Sequence, residues 1–215
     1  MKNRVYLLLV LLGGIQLSSA QHKVFFEILP GAAYVLPSKL LIHQEGYDDI
    51  ILKAHYEVQP FTLPPYYSLR AGVSLNSSTS VELELNHLKL WLLNPPPEIT
   101  RFSITHGYNQ LWLNLLKKYR YFDLRVGAGP VIAHAENIIR GLRLDQTGGL
   151  FNNGYHLDGI TTQLSIQKQY FITNFLYLMG ESKMNVSWSR TDVVNGYANV
   201  SVYAVHLLGG VGVVF

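Results

Sequence analysis

His206-Leu-Leu-Gly-Gly-Val-Gly-Val-Val-Phe215 closes the sequence on an aromatic residue, with Val213, Val211 and Leu207 alternating behind it. Side chains alternate between the two faces of a strand, so this spacing predicts a final strand with one apolar side. A strand at the end of a chain needs a partner, and pairing it with an early strand removes the unpaired edge altogether. The stretch therefore points to a closed antiparallel sheet with an oily exterior.

Composition agrees with that reading. Charged residues are only 14% of the chain, against about a quarter in ordinary globular proteins, while 14 tyrosines dominate the aromatic content. Few charges and many tyrosines suit a wall facing hydrocarbon, with rims at headgroup depth where a tyrosine ring meets one medium and its hydroxyl the other. No apolar run reaches the roughly 20 residues of a spanning helix. A length of 215 residues predicts one domain, and the absence of cysteine excludes disulfide scaffolds and thiolate metal sites. No polybasic run is present, so nucleic acid is not an expected partner.

The beginning of the sequence reads as a secretory signal over residues 1–20. Lys2 and Arg4 precede the apolar run Val5 to Leu12, and Ser18-Ser19-Ala20 offers small residues for cleavage before Gln21. A lipoprotein signal is excluded because there is no cysteine to acylate.

Alternation and turn signals predict an all-β, closed antiparallel transmembrane β-barrel over residues 48–215, with eight strands at 49–58, 66–75, 80–91, 100–114, 121–136, 156–168, 170–190 and 197–215. Residues 21–47 are left as a cap, a plug or an extra hairpin; a hairpin of Val24 to Val35 with Lys39 to Gln44 gives ten strands, with Glu45-Gly46-Tyr47-Asp48-Asp49 as a turn on the Phe215 side. Placing Phe215 at the periplasmic end puts the short turns near Gln169, Lys117 and Ser77 there, and the long 138–155 loop on the extracellular side. Tyr119, Tyr121, Tyr170 and Phe171 then form one aromatic rim, and Trp91, Tyr155, Trp188 and Tyr197 the other.

Alternation fails at two places. Glu82, Glu84 and Asn86 share the inward phase, but His87 and Lys89 then occupy the apolar phase, as though a bulge falls at Asn86 and His87. Ser103 and Thr105 point inward until the phase slips at His106 and Gly107, after which Tyr108 and Gln110 face in. Pairing Leu92 with Thr100 would set His87 opposite Thr105 and Asn86 opposite His106, making one kinked patch. Asp123, Arg125, Gln163, Ser165, Gln167, Glu181, Lys183 and His206 also take the inward phase.

Two readings of these residues stand side by side. In the first, Lys53, Arg70, Glu82, Glu84, Asp123, Arg125, Glu181 and Lys183 form an interior polar network, because buried charges must pair. In the second, a lipid-modifying enzyme takes Ser103 or Thr105 as nucleophile, His87 or His106 as base, and Glu84 or Glu136 as the carboxylate that orients it. His134-Ala-Glu136 offers only two metal ligands, so no metal is expected. No cofactor is expected either, since no helix follows Gly127-x-Gly129 or Gly209-Gly210-x-Gly212 to make a nucleotide loop. The sequons at Asn76, Asn185 and Asn199 are ones a bacterial barrel does not use.

Ile42-His-Gln-Glu-Gly-Tyr47, Tyr66-Tyr-Ser-Leu-Arg70, Glu84-Leu-Asn-His-Leu-Lys89, Arg101-Phe-Ser-Ile-Thr-His-Gly-Tyr-Asn109 and Arg125-Val-Gly-Ala-Gly-Pro130 give the chain a resemblance. It resembles small outer-membrane β-barrel proteins of the kind found in Bacteroidota. The resemblance implies a cell outer-membrane location, outer-membrane lipid and lipopolysaccharide as surroundings, and recognition of the C-terminal strand ending at Phe215 by the barrel assembly machinery. A monomer with a structural or surface-interaction role is the expectation; the alternative is a lipid A deacylase or acyltransferase. A fainter likeness to lipid A deacylases meets Gly107 and Tyr108 after His106, where that family has a Ser two positions after its catalytic His, so no catalytic role transfers. A transport pore is disfavoured because eight strands leave no open channel.

Overall fold

A computed structural model describes residues 23–150 and 152–215; the expected signal at 1–20 lies outside them. The described residues form strands and no helix: β1 (Val24–Val35), β2 (Ser38–Gln44), β3 (Ile50–Ala54), β4 (Tyr56–Glu57), β5 (Tyr67–Asn76), β6 (Thr79–Leu92), β7 (Ile99–Lys118), β8 (Asp123–Ala133), β9 (Glu136–Ile139), β10 (Leu142–Arg143), β11 (His156–Phe171), β12 (Leu176–Val193) and β13 (Gly196–Val214). Eight of them make a hydrogen-bonded ring in the order β1, β5, β6, β7, β8, β11, β12, β13 and back to β1, each neighbour antiparallel.

Eight is the expected number, but its membership differs. The segment expected as a cap, plug or extra hairpin supplies a wall strand: β1 pairs with β13 on one side and β5 on the other. β2 prolongs it along β13 after an irregularity at Leu36-Pro37, where Val35 faces Ala204 but Leu40 faces Val200. Proline cannot donate to the ladder, which is why the break falls there. The stretches 49–58 and 66–75, expected as two strands, are one wall position. β3 pairs with β2, β4 with β6 and β5 with both neighbours, while the proline-rich strap at 58–66 interrupts them. The Glu45 to Asp49 turn, placed on the Phe215 side by the ten-strand reading, lies at the other end, where Glu45 N–H donates to Asn195 O at 2.9 Å.

The end carrying Phe215 is called lower here. Along β6, Ser80, Glu82, Glu84 and Asn86 are buried inside and Leu83 is exposed outside; farther up, Leu88, Leu90 and Leu92 hold the interior positions and His87, Lys89 and Trp91 the outer ones. β13 repeats this: Leu207 and Val211 are exposed below with His206 buried, whereas Ala198, Val200, Val202 and Ala204 are buried above. On β6 and β13 the wall thus changes polarity partway up, from oily outside and ionic inside below to polar outside and apolar inside above. By contrast, β12 keeps Asn185, Ser187, Ser189 and Thr191 buried inside and Met184 and Trp188 exposed outside.

This exchange accounts for the phase slip expected at Asn86 and His87. Strand β6 keeps its alternation there, and the chemistry of its two faces swaps. The real bulge is on β7, where Leu88 faces Tyr108 but Leu90 faces Ile104. Thr105, His106 and Gly107 are looped out, with Gly107 at φ 139°, a conformation that favours glycine. His87 consequently faces Asn109 and Asn86 faces Gln110, instead of Thr105 and His106.

His87 and Lys89 hold outward positions of β6. The strap covers them. Lys89 Nζ donates to Thr62 O and Oγ1 at 2.9 and 2.8 Å, and the ring of Tyr67 stacks on His87 with centroids 5.3 Å apart. Phe61 and Leu63, 87% and 90% exposed, form the new outer surface. An oily exterior is thereby restored over two cationic-type side chains.

β7 and β8 approach closely at Gly129, where an added Cβ would lie 1.8 Å from Leu111 O, while Gly180 has open space around it. Gly129→Ala is expected to lower unfolding stability by about 1–3 kcal/mol, as overpacking does. Gly180→Ala should leave it unchanged in the same urea titration of detergent-solubilised protein.

Candidate functional site

Inward positions of the lower half bring seven charged side chains together: Glu27 from β1, Arg70 from β5, Glu82 and Glu84 from β6, Arg125 from β8, and Glu181 and Lys183 from β12. All are buried. Arg70 bonds Glu27 Oε2 at 2.5 Å, Glu181 Oε2 at 2.9 Å and Glu84 Oε2 at 3.2 Å. Arg125 bonds Glu82 Oε2 at 2.5 Å and Glu181 Oε2 at 2.7 Å. Lys183 Nζ contacts Glu84 and lies 4.8 Å from the centroid of Trp112.

Four carboxylates thus face three cations, and a buried ion is tolerated only if its remaining lone pairs and protons are satisfied. Neutral donors supply that. Tyr177 OH and Gln169 Nε2 donate to Glu27 Oε1 at 2.7 and 3.2 Å. Ser68, Asn114 and Gln163 donate to Glu84 at 2.5, 2.8 and 2.8 Å. Arg125 also donates to Ser165 and Gln167 at 3.1 and 2.8 Å, and Asp123 accepts from Gln167 at 3.2 Å. The cluster braces strands that are not neighbours in the ring, because Glu181 on β12 is bonded to Arg70 on β5 and Arg125 on β8. His206 above it contacts Tyr66 OH through Nδ1 at 2.7 Å and Asn185 Oδ1 through Nε2 at 2.5 Å. Higher still, Leu88, Leu90, Ile104 and Tyr108 are fully buried and fill the interior.

Lys53, expected inside, is exposed and faces Lys39 on the outer wall, since the polarity exchange lies below it. Ser103 and Thr105, also expected inside, yield the interior to Phe102 and Ile104. Ser103 receives Arg101 Nε at 3.2 Å and donates to Glu136 O at 3.5 Å, and Thr105 lies in the bulge beside His106. His87 Nδ1 meets Asn109 Oδ1 at 2.8 Å on the outer face, while Glu84 lies on the opposite face of β6 within the ion cluster. Ser103, His87 and Glu84 are therefore not brought into one hydrogen-bonded chain.

The structure does assemble a second group, on the outer face of the upper half. Ser103 on β7 pairs with Glu136 on β9, and Tyr108 pairs with Ala133 on β8, so the β7 bulge sits opposite the His134-Ala135 junction. His134 N–H donates to Gly107 O at 3.1 Å. His106 Nδ1 contacts Glu136 Oε1, Glu136 Oε2 contacts Arg101, and the rings of His106 and His134 lie 5.0 Å apart. Tyr155 stands edge-on to His134 at 5.0 Å and donates its hydroxyl proton to His106 O at 2.8 Å. Burial, with a smaller push from Tyr67, raises the Tyr155 phenol above its ordinary value.

Glu27 and Tyr177 escaped the sequence reading. The signal for the first was a lone acid inside the apolar run Val24-Phe-Phe-Glu-Ile-Leu29; only pairing with a cation makes such a residue tolerable in a wall.

No protein family matches the chain, and no curated protein matches it by sequence. Solved structures do match. The chain is similar to the outer membrane protein AlkL, determined in lipid bilayers, with a TM-score of 0.50, 12% identity, and coverage of 93% of this chain and 94% of that one. It also matches Ail, the attachment invasion locus protein of Yersinia pestis, at TM-score 0.42 and 12% identity over 91% of this chain and 100% of Ail. The outer membrane protease OmpT from Escherichia coli matches at 0.44 and 11% over 94% of this chain and 99% of OmpT. The structural neighbours are outer-membrane β-barrel proteins, and the AlkL likeness shows the fold.

Arg70→Met leaves Glu27, Glu84 and Glu181 without their shared partner. It is expected to cost about 3–5 kcal/mol of unfolding free energy, the typical result of orphaning buried charge. Adding Glu27→Gln to it should cost less than the sum of the two single changes, a coupling readable by denaturant titration in micelles.

Proposed function

We propose that this chain is a non-porous integral outer-membrane β-barrel that carries a structural or surface-interaction role, its lower half in lipid and its upper half standing clear of it. The observation that carries this reading is the filled interior. An ion cluster below and an apolar core above occupy the ring, leaving its outward surfaces as the places where it meets other molecules.

The lower wall presents Phe26, Ile28, Leu83, Leu113, Leu164 and Leu207, a surface suited to outer-membrane lipid and the acyl part of lipopolysaccharide. Tyr119, Tyr121, Tyr170 and Phe171 are exposed at the lower end, as an interfacial belt requires. Phe215 packs edge-to-face with Phe26 at 6.4 Å on the outside of the β1–β13 seam, in keeping with presentation of the last strand to the barrel assembly machinery. A monomer is favoured, since the ring leaves no wall strand unpaired in its lower half. The lipid A acyl-modifying alternative loses the pairing of His87 with Glu84, which lie on opposite faces of β6, and keeps the contact of His106 with Glu136.

Planar-bilayer recordings of the purified protein should show no conductance steps; stepwise ohmic opening would contradict the reading. Lipid A mass spectra from cells with and without the protein should be identical, and a changed acyl pattern lost in His87→Ala or His106→Ala would favour the enzyme instead. For orientation, Thr147→Cys should react with an impermeant maleimide on intact cells, and Tyr121→Cys only after the outer membrane is opened.

A further inference from the structure

We propose that His106, His134 and Glu136 form a binding site for a divalent transition-metal ion of the Zn²⁺ type on the outer face of the upper half. One ligand atom from each lies within 4.8 Å of the others. Two imidazoles and one carboxylate are a donor set that suits zinc and its first-row neighbours, with at least one position left for water or an incoming ligand.

Three local features arrange these donors. His134 and Glu136 are two residues apart in extended chain and therefore share a face. The β7 bulge adds the third by looping out Thr105, His106 and Gly107, and the bond from His134 N–H to Gly107 O ties that bulge to the opposing strand. As metal ligands the sequence offers only the His134-Ala-Glu136 pair, because His106 is 28 positions away from His134 and reaches it only through strand pairing.

The hydrogen bonding around His134 is what distinguishes a ligand set from a chance grouping. Gln146 Nε2 donates to Ala135 O and Leu144 O at 3.2 and 3.3 Å, which fixes the orientation of its amide. Gln146 Oε1 then faces His134 Nε2 as an acceptor, so that nitrogen carries the proton. The other ring nitrogen, Nδ1, is buried and has no hydrogen-bond partner. Metal-binding histidines are held in this way, one ring nitrogen donating to an outer oxygen and the other bare for the ion. Glu136 has its own outer partner in Arg101, whose guanidinium is held 5.2 Å over the Trp91 ring.

Bonds of about 2.0 Å to zinc bring tetrahedral donors to roughly 3.3 Å from one another. His106 Nδ1 and Glu136 Oε1, in direct contact, must part while the wider gaps of the cluster close, and the His106 side chain, 60% exposed, has room to turn. The ion sits between donors of both elements, and the site joins β7 to the β8–β9 junction.

Tag-free protein, folded in detergent and stripped with EDTA, is titrated with ZnCl₂ by calorimetry and with CoCl₂ by visible absorption. One saturable site is expected, with Co²⁺ bands of a low-coordinate nitrogen and oxygen environment. His106→Ala, His134→Ala and Glu136→Gln should each remove the site, and Gln146→Ala should weaken it about 10-fold. His43→Ala, beside Asp49 elsewhere on the surface, should leave it intact. Absence of saturable binding in the unsubstituted protein, or binding unchanged in His106→Ala, would overturn the proposal. His106 is exposed, so that variant keeps the fold and decides the matter even if His134→Ala does not fold.

Discussion

Everything in this molecule is arranged around the cost of placing ions inside a ring whose lower wall is oily. Arg70, Arg125 and Lys183 are buried together with Glu27, Glu82, Glu84 and Glu181, and any of them alone would be prohibitively expensive there. Some of their bonds run along the wall, as from Arg70 to its register partners Glu27 and Glu84, and others cross the interior and fix the distance between strands that are not neighbours. Glu181, which holds Arg70 and Arg125 together, is the clearest case. Satisfying the surplus carboxylate with Tyr177, Gln169, Ser68, Asn114 and Gln163 then dictates which inward positions are polar.

The upper half obeys the same physics in the opposite sense. Once the outer wall carries Lys39, Lys53, His55 and Glu57, the interior can be apolar, and Leu40, Ile42, Leu88, Leu90, Ile104 and Val200 pack there as in a water-soluble sheet protein. Between the halves, the strap at 58–66 reconciles the two regimes on one side, covering His87 and Lys89 with Phe61 and Leu63. The bulge at 105–107 does the corresponding work on β7 and turns His106 outward.

Much of the lower half was legible in the sequence because apolar and charged residues alternate there without interruption, as in Ser80 to Leu85. The upper half was not, since a strand whose faces exchange chemistry gives the same local pattern as a strand that slips by one residue. His87 and Lys89 in the apolar phase for that reason look like the mark of a bulge. Val24 to Val35 is legible as a strand, half of the possible extra hairpin, but its place in an eight-strand wall is not, because the strap makes one wall position look like two strands. His106 and Glu136 are among the bases and carboxylates that the sequence offers, but their meeting with His134 depends on a register between β7, β8 and β9 that residue spacing does not encode.

Strand β6 exchanges the polarity of its two faces along one unbroken run, and a nitroxide scan of it in lipid bilayers tests this most directly. Labels at 81, 83 and 85 should collide with dissolved oxygen, those at 82 and 84 should be immobile and shielded, and the label at 91 should be reached by a water-soluble relaxer. Lipid contact at 82 and 84, or an unbroken lipid-facing periodicity through 91, would contradict the account.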